Sequence, residues 1–243
     1  MPDMEPAEAV LLRRGWLSHL PAGLQKQVLS RSSLKTFEAG EALYHAGDQA
    51  GGMYGLVSGA AAISVAPGDY GPYFVHFALP GTWFGHASAI IRQPRRVGVM
   101  ARRQTTVMYY PATAMDELVA ANPESWRYFT LNVILSLDLA MQAYDDMMIR
   151  DPQTRVCAVL LRLAGLGADS LDGTGNGGAR PTSNGDIIQI EVTQSEIAEI
   201  SNLSRNGVGR ILARLASAGL VESGYGHLRI LKPRALIEQV ANR

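Results

Sequence analysis

From Glu124 to Asp151 the chain contains neither glycine nor proline. An uninterrupted run of this length has room for a single helix of about 27 residues. Asn122 offers an N-cap and Pro123 suits the first helical position, where its missing N–H costs nothing. Within the run Ile134, Leu137, Met141, Tyr144 and Met148 are spaced alternately by three and four, the seam along which two helices pack. A helix so long exceeds what one small domain can cover. The seam therefore predicts self-association, and any fold for this chain must be arranged around it.

The two sides of this run differ in kind. Residues 1–35 place Trp16, Leu17, Leu20, Leu24, Val28 and Leu29 at helical spacing around Pro21 and Gly23, which predicts short helices. From Phe37 to Tyr110 short β-type runs alternate with glycines, and strands are expected at 53–57, 61–65, 73–79 and 104–110, with a hairpin turn at Val57-Ser58-Gly59-Ala60. Regularly punctuated short strands imply a roll or barrel. After Pro152 an apolar helix is expected over 154–164. A glycine-rich stretch at 165–185 reads as a mobile loop, and short strands follow at 187–192 and 219–230.

With 243 residues, 47% of them hydrophobic and 18% charged, the chain has the apolar material for two modest domains and too little charge for a disordered one. A single cysteine, Cys157, excludes an internal disulfide and a cysteine-built metal cluster. It lies in the apolar run Val156-Cys-Ala-Val-Leu-Leu, where a buried thiol is expected rather than a redox switch. No apolar run reaches membrane-spanning length and the N-terminal residues lack a secretory pattern, so no membrane association and a cytoplasmic location are expected.

Formal net charge is zero, yet Val192–Arg234 carries six basic residues against three acidic ones. In this segment Thr193 precedes Glu196 at capping-box spacing, and Ile197, Ala198 and Ile200 supply an apolar face. After the break Ser201-Asn202-Leu203, Ser204 can cap a second helix. Its Val208, Ile211, Leu212 and Leu215 repeat at i, i+3, i+4, i+7. Two helices joined by so short a turn form a helix-turn-helix. Arg205, Asn206 and Arg210 then fall in the first two turns of the second helix, where side chains reach base edges in a major groove. Gly219 to Ile230 reads as a hairpin turning at Gly224–Gly226, a wing.

The stretch TQSEIAEISNLSRNGVGRILARLASAGLV (193–221) resembles the winged helix-turn-helix of the cAMP receptor protein and FNR (CRP/FNR) superfamily of bacterial transcription regulators. AGEALYHAGDQAGGMYGLVSGAAAISV (39–65) and PGTWFGHAS (80–88) resemble its β-roll, and residues 122–151 its dimerisation helix. The resemblance implies an α+β chain with a cyclic-nucleotide-binding-type β-roll at 1–121, a long dimerisation helix at 122–151 and a winged helix-turn-helix domain at 152–243. It also implies a homodimer on palindromic double-stranded DNA. The DNA-binding set it implies is Thr193, Gln194, Ser195, Ser204, Arg205, Asn206, Val208, Gly209, Arg210 and Arg214. Gln194 and Ser204 resemble phosphate-facing positions, and Arg205 and Arg210 resemble the base- and backbone-contacting arginines. Asn206 stands where many members carry glutamate; asparagine prefers adenine edges, so the operator is expected to differ there. RNA polymerase is a further candidate partner, since the 165–185 insertion falls where the family places a loop able to touch it.

The effector pocket implied by the same resemblance comprises Phe84, Gly85, His86, Ala87, Arg96, Val97, Ala140 and Met141. His86 replaces the glutamate that accepts from a ribose hydroxyl, Val97 the serine paired with the phosphate arginine, and Ala140 and Met141 the hydroxyl residues that meet adenine. Each lost polar contact costs about 1–3 kcal/mol, so cAMP control is not expected; the sensor answers to another ligand or to none. No cofactor and no metal site is expected, because His19, His45, His76, His86 and His227 show no ligand spacing. No catalytic residue is expected either: phosphate-loop and metalloprotease patterns are absent, and Gly55-Leu-Val-Ser-Gly59 has the wrong spacing for a nucleophile elbow. Two alternatives stay open, a haem- or other small-molecule-gated sensor and a protein-interaction module that no longer reads DNA.

Overall fold

The computed structural model describes residues 4–66, 71–166 and 187–242, so the 165–185 insertion lies, from residue 167 onward, outside the described residues. The chain divides into two compact units, Met1–Leu137 and Asp138–Arg243. Among the described residues no helix is long and apolar enough to cross a membrane.

The first unit opens with α1 (Met4–Arg13), a 3-10 turn (Trp16–His19) and α2 (Ala22–Ser30). The strands β1 (Ser33–Phe37), β2 (Ala42–Tyr44), β3 (Met53–Ser58), β4 (Ala61–Val65), β5 (Tyr73–Ala78) and β6 (Trp83–Phe84) follow. After the short α3 (His86–Ile91) come β7 (Val97–Ala101), β8 (Thr105–Tyr110) and α4 (Ala112–Ala121). They form two four-stranded antiparallel sheets, ordered β1-β8-β3-β6 and β2-β7-β4-β5.

Strands β3, β6 and β8 of the first sheet are buried on both faces, and their sequences show why. Alternate residues point to opposite sides: Tyr54, Phe84 and Val107 join Tyr44, Val99 and Ala101 of the other sheet inside the roll, while Met53, Trp83, Met108 and Tyr110 turn outward. The outward set packs against Leu11, Trp16, Leu17, Val28, Met115 and Phe129 from the helices. Trp16 is the centre of this layer, with its ring 5.1 Å from Trp83 and 5.5 Å from Phe129. Gly55 pairs with Trp83, and a Cβ there would lie 2.6 Å from the indole, so the bare backbone makes room for it.

The expected strands form, with ends shifted by a residue, but the turn at Val57–Ala60 is not a hairpin. It carries the chain from β3 in one sheet to β4 in the other. Gly59 turns at φ +92°, and the Thr105 hydroxyl accepts from Ala60 N–H at 3.3 Å and donates to its carbonyl at 3.1 Å. A neighbouring strand, rather than a hairpin partner, satisfies the turn.

The long helix starts later than expected. Pro123–Ser125 form a 3-10 turn with Pro123 at its start, the Asn122 side chain makes no cap bond, and α5 runs Trp126–Met148. In the second unit α6 (Pro152–Leu163) is capped by Asp151, which accepts from Thr154 N–H at 2.7 Å. There follow β9 (Ile188–Ile190), α7 (Gln194–Ser201), α8 (Arg205–Ser217), β10 (Val221–Gly224), β11 (His227–Ile230) and α9 (Pro233–Ala241), with the strands in one sheet ordered β10-β11-β9. Cys157 is fully buried, and desolvation raises its thiol pKa to about 12, which suits an inert core residue.

The one buried ion pair among the described residues joins α5 to α6. Arg162 Nε donates to Asp146 Oδ2 at 2.7 Å, with side-chain exposures of 3% and 11%. Arg162→Met removes the guanidinium that faces the buried Asp146 carboxylate, and it is expected to lower unfolding free energy by about 3–5 kcal/mol. Asp146→Leu/Arg162→Met should recover most of that loss in chemical denaturation. Equal stability of the single and double variants would contradict this account.

Candidate nucleic-acid interface and sensor pocket

Reciprocal hydrogen bonds start α7. Thr193 Oγ1 accepts from Glu196 N–H at 3.2 Å, and the Glu196 carboxylate accepts from Thr193 N–H at 2.8 Å. The helix ends at Asn202, which turns left-handed at φ 50°. Two residues later Ser204 caps α8 by accepting from Gly207 N–H at 3.1 Å. The apolar stripe Val208, Ile211, Leu212 and Leu215 is buried. At 100° per residue Asn206 and Arg210 lie opposite that stripe, with Arg205 and Arg214 flanking it, and all four are exposed. Arg205 and Arg210 form no ion pair among the described residues, so their guanidinium groups stand ready to pair with acceptors.

The remaining expected contact residues separate. Ser195 and Ser204 are exposed, and Thr193, Gln194 and Gly209 are half-buried. Val208 is a correction: at 0% exposure it lies wholly within the apolar stripe and cannot reach a base edge. Gln194 Nε2 donates to the Arg205 carbonyl at 2.8 Å. The wing is the β10–β11 hairpin; Gly224 pairs with His227, which leaves Tyr225 and Gly226 at its tip. Tyr225 is fully exposed there, a residue the sequence reading did not single out.

In the β-roll, Phe84 is buried and stacks on Tyr54 at 5.7 Å, Gly85 is left-handed at φ 82°, and Ala87 and Arg96 are exposed. Arg95, not Arg96, carries the interior guanidinium, which is a second correction. Arg95 is 5% exposed, donates to the Gly85 and Gly52 carbonyls at 2.9 Å each, and lies 4.3 Å from the Tyr44 ring centroid. Cβ atoms at Gly51 and Gly85 would come within 2.6 and 2.8 Å of it, so the glycines shape its cradle. Strand periodicity could not have found it, because residue 95 precedes β7 and its N–H donates to the Asp48 carbonyl at 2.8 Å instead of joining the sheet.

The Tyr44 hydroxyl is buried without a hydrogen-bond partner among the described residues, and desolvation raises its pKa. His86 Nδ1 is likewise buried and unpartnered, and desolvation lowers the imidazole pKa from 6.5 to about 4. Ala140 and Met141 lie on α5 within the second unit and are exposed. Among the described residues no three of His, Cys, Asp and Glu come together as a metal site.

Residues 34–122 match the model of the cyclic nucleotide-binding domain, and residues 154–239 that of the Crp-like helix-turn-helix domain. The cAMP-activated global transcriptional regulator CRP of Pasteurella multocida is 23% identical over 196 residues, 80% of this chain and 88% of that protein. A CRP/FNR-family transcriptional regulator from Thermus thermophilus superposes with a TM-score of 0.62 at 18% identity, over 86% of this chain and 98% of that one. The c-di-GMP responsive global regulator CLP of Xanthomonas campestris does so with 0.62 at 19% identity, over 87% and 99%.

A histidine held neutral in the fold titrates in the unfolded chain, which binds more protons between pH 6.5 and 4. Stability contributed by neutral His86 is complete above pH 6.5 and falls as pH drops toward about 4. The thermal midpoint of His86→Gln is expected to fall less than that of the unsubstituted protein over this window. Parallel pH profiles would show that His86 is not the titrating group.

Proposed function

Because the chain belongs to the CRP/FNR superfamily of transcription regulators, which are not enzymes, we propose that it acts as a homodimer on a two-fold symmetric operator without cAMP as its switch. The observation that carries this reading is the exposed Arg205, Asn206 and Arg210 on the first two turns of α8. Arginine forks match guanine and asparagine amides match adenine in the major groove. We assign residues 1–121 as sensor, 122–151 as dimerisation helix and 152–243 as DNA-binding domain.

The dimer reading rests on the α5 stripe. Ile134, Leu137, Met141, Tyr144 and Met148 are 46–63% exposed, and a second copy of the same helix would bury them along a coiled-coil seam. With two copies, two recognition helices face successive major grooves.

The lack of cAMP control rests on the pocket. His86 and Val97 bring neither the ribose acceptor nor the phosphate hydroxyl, and Arg96 is exposed. A second reading has a specific observation behind it: Arg95 is a buried cation without a carboxylate partner among the described residues. An anionic effector other than cAMP would neutralise it, as relatives answer to different nucleotides.

Selection of duplex DNA from a random pool, without added ligand, is expected to enrich a palindrome with half-sites about one helical turn apart. Arg205→Ala/Arg210→Ala should erase that preference, at about 1–3 kcal/mol per base contact, while weak non-specific binding persists. Leu137→Asp/Met141→Asp should sediment as a monomer and lose the operator. A wild-type chain that is folded and dimeric but enriches nothing would shift the case to an obligatory anionic effector, and unchanged preference in the arginine variant would overturn the base-reading assignment.

A further inference from the structure

Gly209 occupies the second turn of α8. An interior helical position is one where glycine is among the weakest formers, so its presence calls for a packing reason. That reason lies across the helix-turn-helix: a Cβ at residue 209 would displace the side-chain amide of Gln194, the flexible end of that side chain. The same amide donates to the Arg205 carbonyl at 2.8 Å. In an α-helix the carbonyl of residue 205 already accepts from the N–H of residue 209. Bare backbone at 209 thus leaves one side of that carbonyl open to a second donor, and Gln194 supplies it.

Resting on the DNA-reading assignment above, we propose that Gln194 and Gly209 form a positioning pair that sets how α8 presents Arg205 and Asn206 to base edges. Ser204 caps the first turn of α8 from within its own loop. Gln194, the first residue of α7, ties that turn to the neighbouring helix. The side chain acts within the protein, through Arg205, rather than as a phosphate contact.

The test compares Gln194→Ala, Gly209→Ala and the double variant with the wild-type chain. Operator affinity, discrimination against altered half-sites, the salt dependence of binding and thermal melting are measured for each. Gly209→Ala is expected to melt at or above the wild-type temperature, because alanine is the better helix former, yet to bind the operator about tenfold more weakly and with less discrimination. Gln194→Ala should lose discrimination at an unchanged salt slope, and the double variant should be no worse than Gln194→Ala, because the clash and the bond share one side chain.

A salt slope reduced by about one in Gln194→Ala would identify a phosphate contact and overturn the proposal. So would wild-type binding by Gly209→Ala, or losses that add in the double variant. If Gly209→Ala fails to fold, the double variant, which removes the colliding amide, decides: binding equal to Gln194→Ala supports the pair and any further loss rejects it. Absence of operator preference in the wild-type chain overturns the DNA-reading assignment and this proposal with it.

Discussion

The strands β8, β3 and β6 must be covered on both faces, and the first unit is built to meet that demand. One face meets the second sheet across the aromatic interior of Tyr44, Tyr54 and Phe84. The other meets the helical layer through Trp83, Trp16 and Phe129. The strands are too short to be stable alone, so burial rather than ladder bonding carries them. The same demand draws the first part of α5 into this unit, since Phe129 is 1% exposed, while Ile134 and Leu137 further along the helix stay uncovered.

In the second unit the decisive features are local. The Thr193–Glu196 capping box starts α7, left-handed Asn202 ends it, and Ser204 starts α8 two residues later. The apolar stripe of α8 then leaves its polar residues a single outward direction. Local hydrogen bonds of this kind depend on residues three or four positions apart, which is why the helix-turn-helix could be read from the chain almost residue for residue. Val208 falls in both the apolar stripe and the contact set that the family resemblance implies, and its burial leaves it to the stripe.

The sensor was less legible. The run Phe84-Gly85-His86-Ala87 is legible, but the family resemblance points to Arg96 where the fold buries Arg95. Between Gly85 and β7 lie the short α3 and a left-handed Arg92, and irregular backbone of this sort shifts residue counts without a sequence signature. The turn at Gly59 shows the same limit: glycine marked a reversal, yet whether the chain returns to the same sheet depends on strands far away in sequence.

The features legible in the chain alone are periodic and short-range: two helices with caps and apolar stripes, a glycine-free helix with an uncovered seam, a roll of short strands, and a basic charge concentrated near the recognition helix. Which polar groups meet across elements is set by packing and becomes visible in the folded chain. Arg95 reaches the carbonyls of Gly52 and Gly85, Arg162 reaches Asp146, and Gln194 reaches the carbonyl of Arg205. Periodicity specifies the face a residue occupies because the backbone repeats. It carries no record of the partner brought opposite that face, because that partner is set by how the elements pack to cover their apolar surfaces.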